Sequence, residues 1–191
     1  MNRQLLILDI DETLLHAAEQ PLSAPPDYRV GPYHVYKRPH VDRFLRVADS
    51  LFDIAVWTSS GEDYAVGAIA PLWDGISPPK FVWSRQRCTR KCDHEKQVEH
   101  WVKDLKKVAR LGYPLERVLV IDDSPEKLQR HFGNLIRISP FEGDPSDTDL
   151  ARAIPFLHDL SKVENVRTVE KRGWRQKYSG HAEQSLAADS R

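Results

Sequence analysis

The stretch LLILDIDETL, residues 5–14, decides how the rest of the chain is interpreted. Its first four residues are apolar and branched with no polar residue among them, which is typical of a strand covered by helices on both faces. The same pattern recurs at residues 54–57 and 118–121, and more weakly at residues 135–138. These runs predict the parallel strands of an α/β protein.

Helical periodicity fills the intervals between these strands. Apolar residues at every third or fourth position predict helices over residues 40–51 and 97–111, and a capping pattern opens a further helix over residues 146–160. Residues 28–37 predict a small hairpin. The expected fold is therefore a doubly wound, Rossmann-type parallel sheet with a hairpin insertion.

The composition excludes several classes of protein. The chain has 191 residues, and its 28 Lys and Arg balance its 28 Asp and Glu, which argues against bulk electrostatic binding of nucleic acid or anionic lipid. Its two cysteines are typical of a reducing compartment. No uncharged stretch approaches the roughly 20 residues of a membrane span. We therefore expect a cytoplasmic monomer that does not bind membranes.

The length suits a single domain. Apolar residues become sparse from Lys171 onward. We therefore expect one domain over residues 1–170 and a flexible tail over residues 171–191.

Polar side chains follow three of the predicted strands directly. Asp9 follows the first, Thr58 follows the second, and the pair Asp122 and Asp123 follows the third. Because the carboxyl ends of parallel strands meet at one edge of a sheet, these side chains are expected to lie together. Several carboxylates in contact either share a proton or bind a metal, and oxygen ligands favour a hard cation such as Mg²⁺.

Asp9 and Asp11 form the pattern DxDxT immediately after the first strand. Two carboxylates at this spacing can take different roles at a phosphorus atom. One can attack it, while the other donates a proton and later accepts one.

Five motifs occur in one order along the chain and carry a resemblance to a known family. They resemble the haloacid-dehalogenase-like (HAD) phosphatases, and within them the small C-terminal-domain phosphatase and NLI-interacting-factor branch. The motifs are DIDETLLH at 9–16, KRPHVDRFL at 37–45, VWTSS at 56–60, WVKDL at 101–105 and VLVIDDSP at 118–125. Residues 146–167 resemble the closing helix of that branch.

The resemblance implies a catalytic and a metal-binding role for four acidic residues. Asp9 would be the nucleophile, forming an aspartyl-phosphate and also contacting Mg²⁺. Asp11 would be the general acid and base, with its carbonyl as a further metal ligand. Asp123 would bind Mg²⁺ with Asp122 beside it. This Asp-Asp pair stands where close relatives often have Asp-Asn, which makes the site one charge more negative.

The resemblance also implies which residues bind the substrate phosphate. Thr58 would hydrogen-bond to the phosphoryl group with Ser59 nearby, and Lys103 would neutralise its charge. Lys106 and Lys107 remain alternatives to Lys103, because the stretch after Lys103 is a few residues longer than the family's usual spacing.

The intervals between the motifs bear on the substrate. The stretches from Asp9 to Thr58 and from Thr58 to Lys103 are filled by the predicted helices, hairpin and loops, so no large cap domain is expected. An open site suits a phosphate on a protein, and the expected function is a Mg²⁺-dependent serine/threonine phosphatase. The alternatives are a phosphatase for a small metabolite or a nucleic-acid end, or a phosphate-binding scaffold without activity.

A zinc site is a second interpretation of the stretch that contains Cys88, Cys92 and His94. The spacing between the cysteines is C-x₃-C and there is no second pair. His100 lies beyond this stretch. Because a chain of this length needs no structural metal to fold, a plain surface loop is the favoured interpretation.

Overall fold

The computed structural model describes residues 3–93 and 98–180. Short 3₁₀ segments join its regular elements. In chain order the strands are β1 (Leu5–Leu8), β2 (Leu15–Ala18), β3 (Tyr28–Val30), β4 (Tyr33–Lys37), β5 (Asp53–Trp57), β6 (Val82–Trp83), β7 (Thr89–Asp93), β8 (Val98–Val102), β9 (Val118–Asp122) and β10 (Leu135–Arg137). The helices are α1 (Val41–Leu51), α2 (Glu62–Ile69), α3 (Lys106–Ala109), α4 (Asp149–Ser161) and α5 (Trp174–Lys177).

A five-stranded parallel sheet forms the centre of the protein, in the order β10-β9-β1-β5-β6. Successive residues of β1 point to opposite faces: Leu6 and Leu8 pack in the core that contains α1 and α4. Leu5 and Ile7 pack in the other core, with residues that include Leu105 and Val108. Burial of both faces accounts for the uninterrupted apolar runs. The predicted doubly wound α/β fold is confirmed.

The small insertion is a three-stranded antiparallel sheet in the order β2-β4-β3. The predicted hairpin is its β3–β4 part, and the chain turns at Gly31, whose φ is +55°. Strand β2 was not predicted, because LHAA has neither the alternation nor the β-branched residues of a typical strand. In the described part of the chain, nothing larger than this sheet stands between the motifs as a cap.

The helix predicted over residues 97–111 is wrong in its first part. Residues Val98–Val102 form β8, which pairs with β7, and only Lys106–Ala109 is helical. The amide of Lys103 donates to the carbonyl of Lys127 (2.7 Å), which keeps the chain extended beyond the hairpin. Helix propensity differs by only tenths of a kcal/mol among ordinary residues, so a paired strand outweighs it. Gln97 lies outside the described residues.

The flexible tail predicted from Lys171 does not begin there. Trp174 and Tyr178 are buried and pack on the ring of Phe156, with centroid distances of 5.7 and 5.3 Å. The Lys171 ammonium donates to the carbonyls of Gly133 (2.8 Å) and Val169 (3.1 Å). Residues 171–180 are therefore part of the domain, while residues 181–191 lie outside the described residues.

No described helix combines the length and apolarity that a membrane crossing requires.

Candidate active site

The carboxyl edge of the sheet brings three predicted carboxylates together. Asp9 follows β1, Asp122 ends β9 and Asp123 comes next. The amide of Asp9 donates to the carbonyl of Ile121 (3.0 Å), which extends the pairing of the two strands into the site. Asp9, Asp122 and Asp123 each offer one oxygen, and these oxygens all lie within 4.8 Å of one another. We call these three residues the acidic cluster.

Lys103 is the predicted lysine that reaches the acidic cluster. Its Nζ lies 3.0 Å from Asp9 Oδ1 and 2.6 Å from Asp122 Oδ2, and its side chain is fully buried. Lys106 is exposed, and Lys107 donates to the carbonyl of Arg87 (2.7 Å). The geometry therefore favours Lys103 over the two alternatives.

Lys127 is a second cation in the cluster, and it was not predicted from the sequence. Its Nζ lies 2.7 Å from Asp9 Oδ2, 3.5 Å from Asp122 Oδ1 and 3.8 Å from Asp123 Oδ1. It belongs to the 3₁₀ segment Pro125–Leu128. One signal could have found it, because a lysine four residues after Asp123 returns to the same side of a helical turn.

The two lysines determine the charge state of the buried pair Asp9 and Asp122. Burial opposes ionisation of Asp9, but Lys103 and Lys127 outweigh burial and hold the pKa of Asp9 below its usual range. Burial and the negative charge of Asp9 raise the pKa of Asp122. Asp9 is therefore the carboxylate of the pair that keeps its charge most readily.

Asp11 lies apart from the acidic cluster, and hydroxyl groups hold its carboxylate. Ser60 Oγ donates to Asp11 Oδ2 (2.7 Å), and the Tyr64 hydroxyl donates to Asp11 Oδ1. The buried Thr58 hydroxyl lies 3.5 Å from Asp11 Oδ2 and accepts a hydrogen bond from the Ser60 amide (3.0 Å). The predicted phosphate ligand Thr58 therefore also helps to orient Asp11. Ser60 lies in the VWTSS motif, but its bond to Asp11 and that of Tyr64 were not predicted.

The loop after Asp11 is fixed by a buried arginine from the KRPHVDRFL motif. Arg38 is bidentate to Asp147 (2.8 and 2.7 Å) and donates from Nη1 to the carbonyls of Glu12 (3.3 Å) and Thr13 (3.2 Å). Glu12 itself has a φ of +55°. Burial, Asp11 and nearby Asp123 raise the pKa of Glu12 from 4.5 to about 7. This motif therefore fixes the backbone of the loop that follows Asp11.

An open cavity of about 390 Å³ lies beside Asp11 and Lys127. Ser59, Tyr33 and Arg85 also line it, and Arg85 Nε donates to the Ser59 carbonyl (2.6 Å). A larger cavity, of about 690 Å³, lies along the C-terminal segment and shares no residue with the lining of the first. We associate the smaller cavity with the candidate site, because Asp11 and Lys127 line it.

The described residues give no support to a zinc site at the cysteines. Cys88 is buried with its Sγ 3.7 Å from the carbonyl of Thr58, whereas Cys92 is exposed. His94 lies outside the described residues. Among the described residues, the candidate metal ligands that converge are those of the acidic cluster.

Comparison with known proteins identifies the family. The family model of NLI interacting factor-like phosphatases matches residues 4–167. The chain belongs to this family. The resemblance predicted from the five motifs is thereby confirmed.

Individual members of the NLI interacting factor-like family are moderately similar to the chain. A probable C-terminal domain small phosphatase of Dictyostelium discoideum is 37% identical over 172 residues, which cover 86% of this chain and 53% of the relative. The CTD nuclear envelope phosphatase 1 of Xenopus tropicalis is 32% identical over 194 residues, or 92% of this chain and 75% of the relative. The chain thus spans about half the length of the Dictyostelium relative.

A solved structure supports the fold of this NLI interacting factor-like chain. Fission yeast RNA polymerase II CTD phosphatase Fcp1 bound to beryllium fluoride aligns with a TM-score of 0.54 at 17% identity. The alignment covers 98% of this chain and 66% of that one. At this identity the likeness establishes the HAD-like fold alone.

The acidic cluster fits a hard divalent cation. Its donors are carboxylate oxygens, which Mg²⁺ prefers. Asp123 Oδ1 is buried and accepts no hydrogen bond from the described residues. Lys127 Nζ lies 3.8 Å away, beyond hydrogen-bond distance, so this oxygen has a coordination position left for a bound cation.

Proposed function

We propose that the chain is a Mg²⁺-dependent phosphomonoester hydrolase that acts on phosphoserine or phosphothreonine in proteins through an aspartyl-phosphate. The observation that carries this proposal is the setting of Asp9. It is a buried carboxylate between Lys103 and Lys127, beside the two other carboxylates of the acidic cluster. A buried nucleophile held as an anion by adjacent cations is suited to attack on phosphorus.

The two carboxylates of DxDxT divide the chemistry. A carboxylate oxygen of Asp9 forms a bond to phosphorus while the bond to the leaving alcohol breaks, and Asp11 gives that alcohol its proton. Asp11 then takes a proton from the water that attacks the aspartyl-phosphate, which releases phosphate and restores Asp9. The hydrogen bonds from Ser60 and Tyr64 fix Asp11 for both proton transfers.

The remaining requirement is to neutralise and position the phosphoryl group. Lys103 supplies a fixed positive charge beside Asp9. Asp9, Asp122 and Asp123 would hold Mg²⁺ with the Asp11 carbonyl, and the bound ion would stabilise negative charge on the phosphoryl oxygens. Thr58 directly follows β5 and lies beside Asp11, while Ser59 after it lines the open cavity.

Two observations support a protein substrate. The cavity is open, and no large cap covers it in the described part of the chain. A similar human protein is the carboxy-terminal domain RNA polymerase II polypeptide A small phosphatase 1, 34% identical over 173 residues that cover 86% of this chain and 62% of the relative. A cytoplasmic location and a monomeric state remain predictions from the sequence, which cell fractionation and light scattering would check.

The decisive experiment compares wild type with Asp9→Asn and Asp11→Asn. Phosphopeptides, phosphorylated sugars and 3′-phosphorylated oligonucleotides are assayed with Mg²⁺ and with EDTA, and the exposed Asp42→Asn serves as the matched control. We expect phosphopeptides to be the best substrates of wild type and of the control. Asp9→Asn should fall to background, and Asp11→Asn should lose about 10²–10⁴-fold.

Three outcomes would each contradict a different part of this proposal: the nucleophile, the substrate class or the activity itself. Undiminished Mg²⁺-dependent turnover by Asp9→Asn would reject the nucleophile. A preference for sugars or oligonucleotides would favour the small-metabolite or nucleic-acid alternative. Failure of the folded wild type to hydrolyse any of the three substrates would favour the scaffold.

A further inference from the structure

We propose that Lys127 is a built-in competitor of the divalent cation, a tethered ammonium that occupies the acidic cluster and lowers its affinity for Mg²⁺. The inference rests on the proposed function, because it takes the acidic cluster as the metal site. The Nζ of Lys127 lies within 4 Å of an oxygen from each of Asp9, Asp122 and Asp123. One flexible cation therefore contacts every side chain that would hold the metal.

The ammonium and the metal ion exclude each other from this position. Mg²⁺ binds oxygen at about 2.0–2.1 Å, and Lys127 already lies 2.7 Å from Asp9 Oδ2. A divalent ion sharing that oxygen would lie within about 5 Å of the ammonium, where like charges repel strongly in a partly buried site. Within the acidic cluster, Lys103 contacts only Asp9 Oδ1 and Asp122 Oδ2, whereas Lys127 contacts the other oxygen of each residue and also Asp123 Oδ1. Lys127 therefore stands where an ion held by all three carboxylates would bind, and metal binding requires its side chain to move away.

Lys127 has more room to move than Lys103. The side chain of Lys103 is fully buried, whereas that of Lys127 is 18% exposed. Lys127 also lines the open cavity with Asp11 and Glu12, so its ammonium has space and carboxylates within reach when it leaves the cluster. A lysine has a long flexible stem and a compact charge, which suits this exchange better than an arginine.

The negative charge of the metal-free cluster explains why a second lysine is needed there. Three carboxylates face one fixed cation, Lys103, and Asp123 stands where the family resemblance often places a neutral asparagine. Lys127, four residues after Asp123, offsets this additional negative charge. Without Lys127 the metal-free cluster is more strongly anionic, so the protein is less stable without metal and attracts a divalent cation more strongly.

The test measures metal binding without substrate. Wild type, Lys127→Met and Lys106→Met are titrated with Mg²⁺ by calorimetry at constant ionic strength, and their thermal unfolding is followed in EDTA and in Mg²⁺. Lys106 is the matched control, because it is an exposed lysine that loses the same charge. We expect Lys127→Met to bind Mg²⁺ at least tenfold more tightly than wild type. Its Tm should be lower in EDTA and rise further with Mg²⁺, while Lys106→Met behaves as wild type.

The outcomes separate this inference from the proposed function. Equal or weaker Mg²⁺ binding by Lys127→Met overturns the competitor role and leaves the Asp9→Asn assay unaffected. Absence of Mg²⁺ binding by both proteins overturns the metal site itself, and the competitor role with it. Should Lys127→Met not fold in EDTA, Lys127→Gln is titrated in its place. It removes the charge but keeps a hydrogen-bond donor for Asp9, and the same tenfold criterion applies.

Discussion

Replacing Arg38 with methionine tests whether the buried arginine holds the catalytic loop. Arg38 has no exposed side-chain surface, and its partner Asp147 is 14% exposed. The change removes two charge-assisted hydrogen bonds to Asp147 and the donor to the carbonyls of Glu12 and Thr13. Breaking a buried ion pair by removing one partner costs about 3–5 kcal/mol. Because water reaches Asp147, we expect the lower end, about 3 kcal/mol of unfolding free energy.

The assay is urea unfolding of four proteins: wild type, Arg38→Met, Asp147→Leu and the double variant. Since the double variant leaves neither charge unpaired, its loss should be smaller than the sum of the single losses by about 1–3 kcal/mol. Arg46→Met, at an exposed position of α1, is the control for loss of an arginine. A loss below about 1 kcal/mol in Arg38→Met, or strictly additive losses, would refute the reasoning.

Three further predictions concern the site and its supports. Lys103→Met should reduce turnover about 10²–10³-fold while Lys107→Met leaves it unchanged; the reverse result in a phosphopeptide assay would favour Lys107. Burial opposes ionisation of Asp149, but hydrogen bonds from the Ser139 amide and the Arg175 guanidinium hold the pKa of Asp149 below its usual 3.8. Its carboxylate therefore stabilises the fold above about pH 4 and loses this effect as pH falls, so Asp149→Asn should show a shallower acid limb in urea unfolding; an unchanged limb would contradict this. Trp174→Ala should cost about 3–5 kcal/mol, and a loss under about 1 kcal/mol would mean that α5 is dispensable.

The central sheet could be predicted because its strands are buried on both faces. In a chain with helical patterns between its apolar runs, an uninterrupted run such as Leu5–Leu8 indicates a strand of this kind. The β7–β8 hairpin could not be predicted in the same way. Val98, Trp101 and Val102 fall at helical spacing, and what makes them extended is pairing with a distant strand and the bond from Lys103 to Lys127. Tertiary contacts of this kind are not visible in the spacing of apolar residues along the sequence.

In the candidate site, too, residues at strand ends could be predicted and residues from loops and turns could not. Asp9, Asp122 and Asp123 were predictable to converge, because parallel strands bring their carboxyl ends to one edge. The residues that hold or balance them come from loops and turns whose course no period describes. Lys127 is the clearest example, since its 3₁₀ turn begins at Pro125 and returns it to the cluster. Sequence patterns therefore located the carboxylates of the acidic cluster but missed Lys127, one of the two lysines that contact them.

The burial of the C-terminal segment has a practical consequence for where a recombinant fragment of this domain should end. The family match ends at residue 167, yet Trp174 and Tyr178 complete the core against Phe156. A recombinant fragment ended at the family boundary would expose that aromatic surface to water and favour aggregation. The family model and the folded unit therefore end at different residues, and expression or protease-mapping work should follow the folded unit.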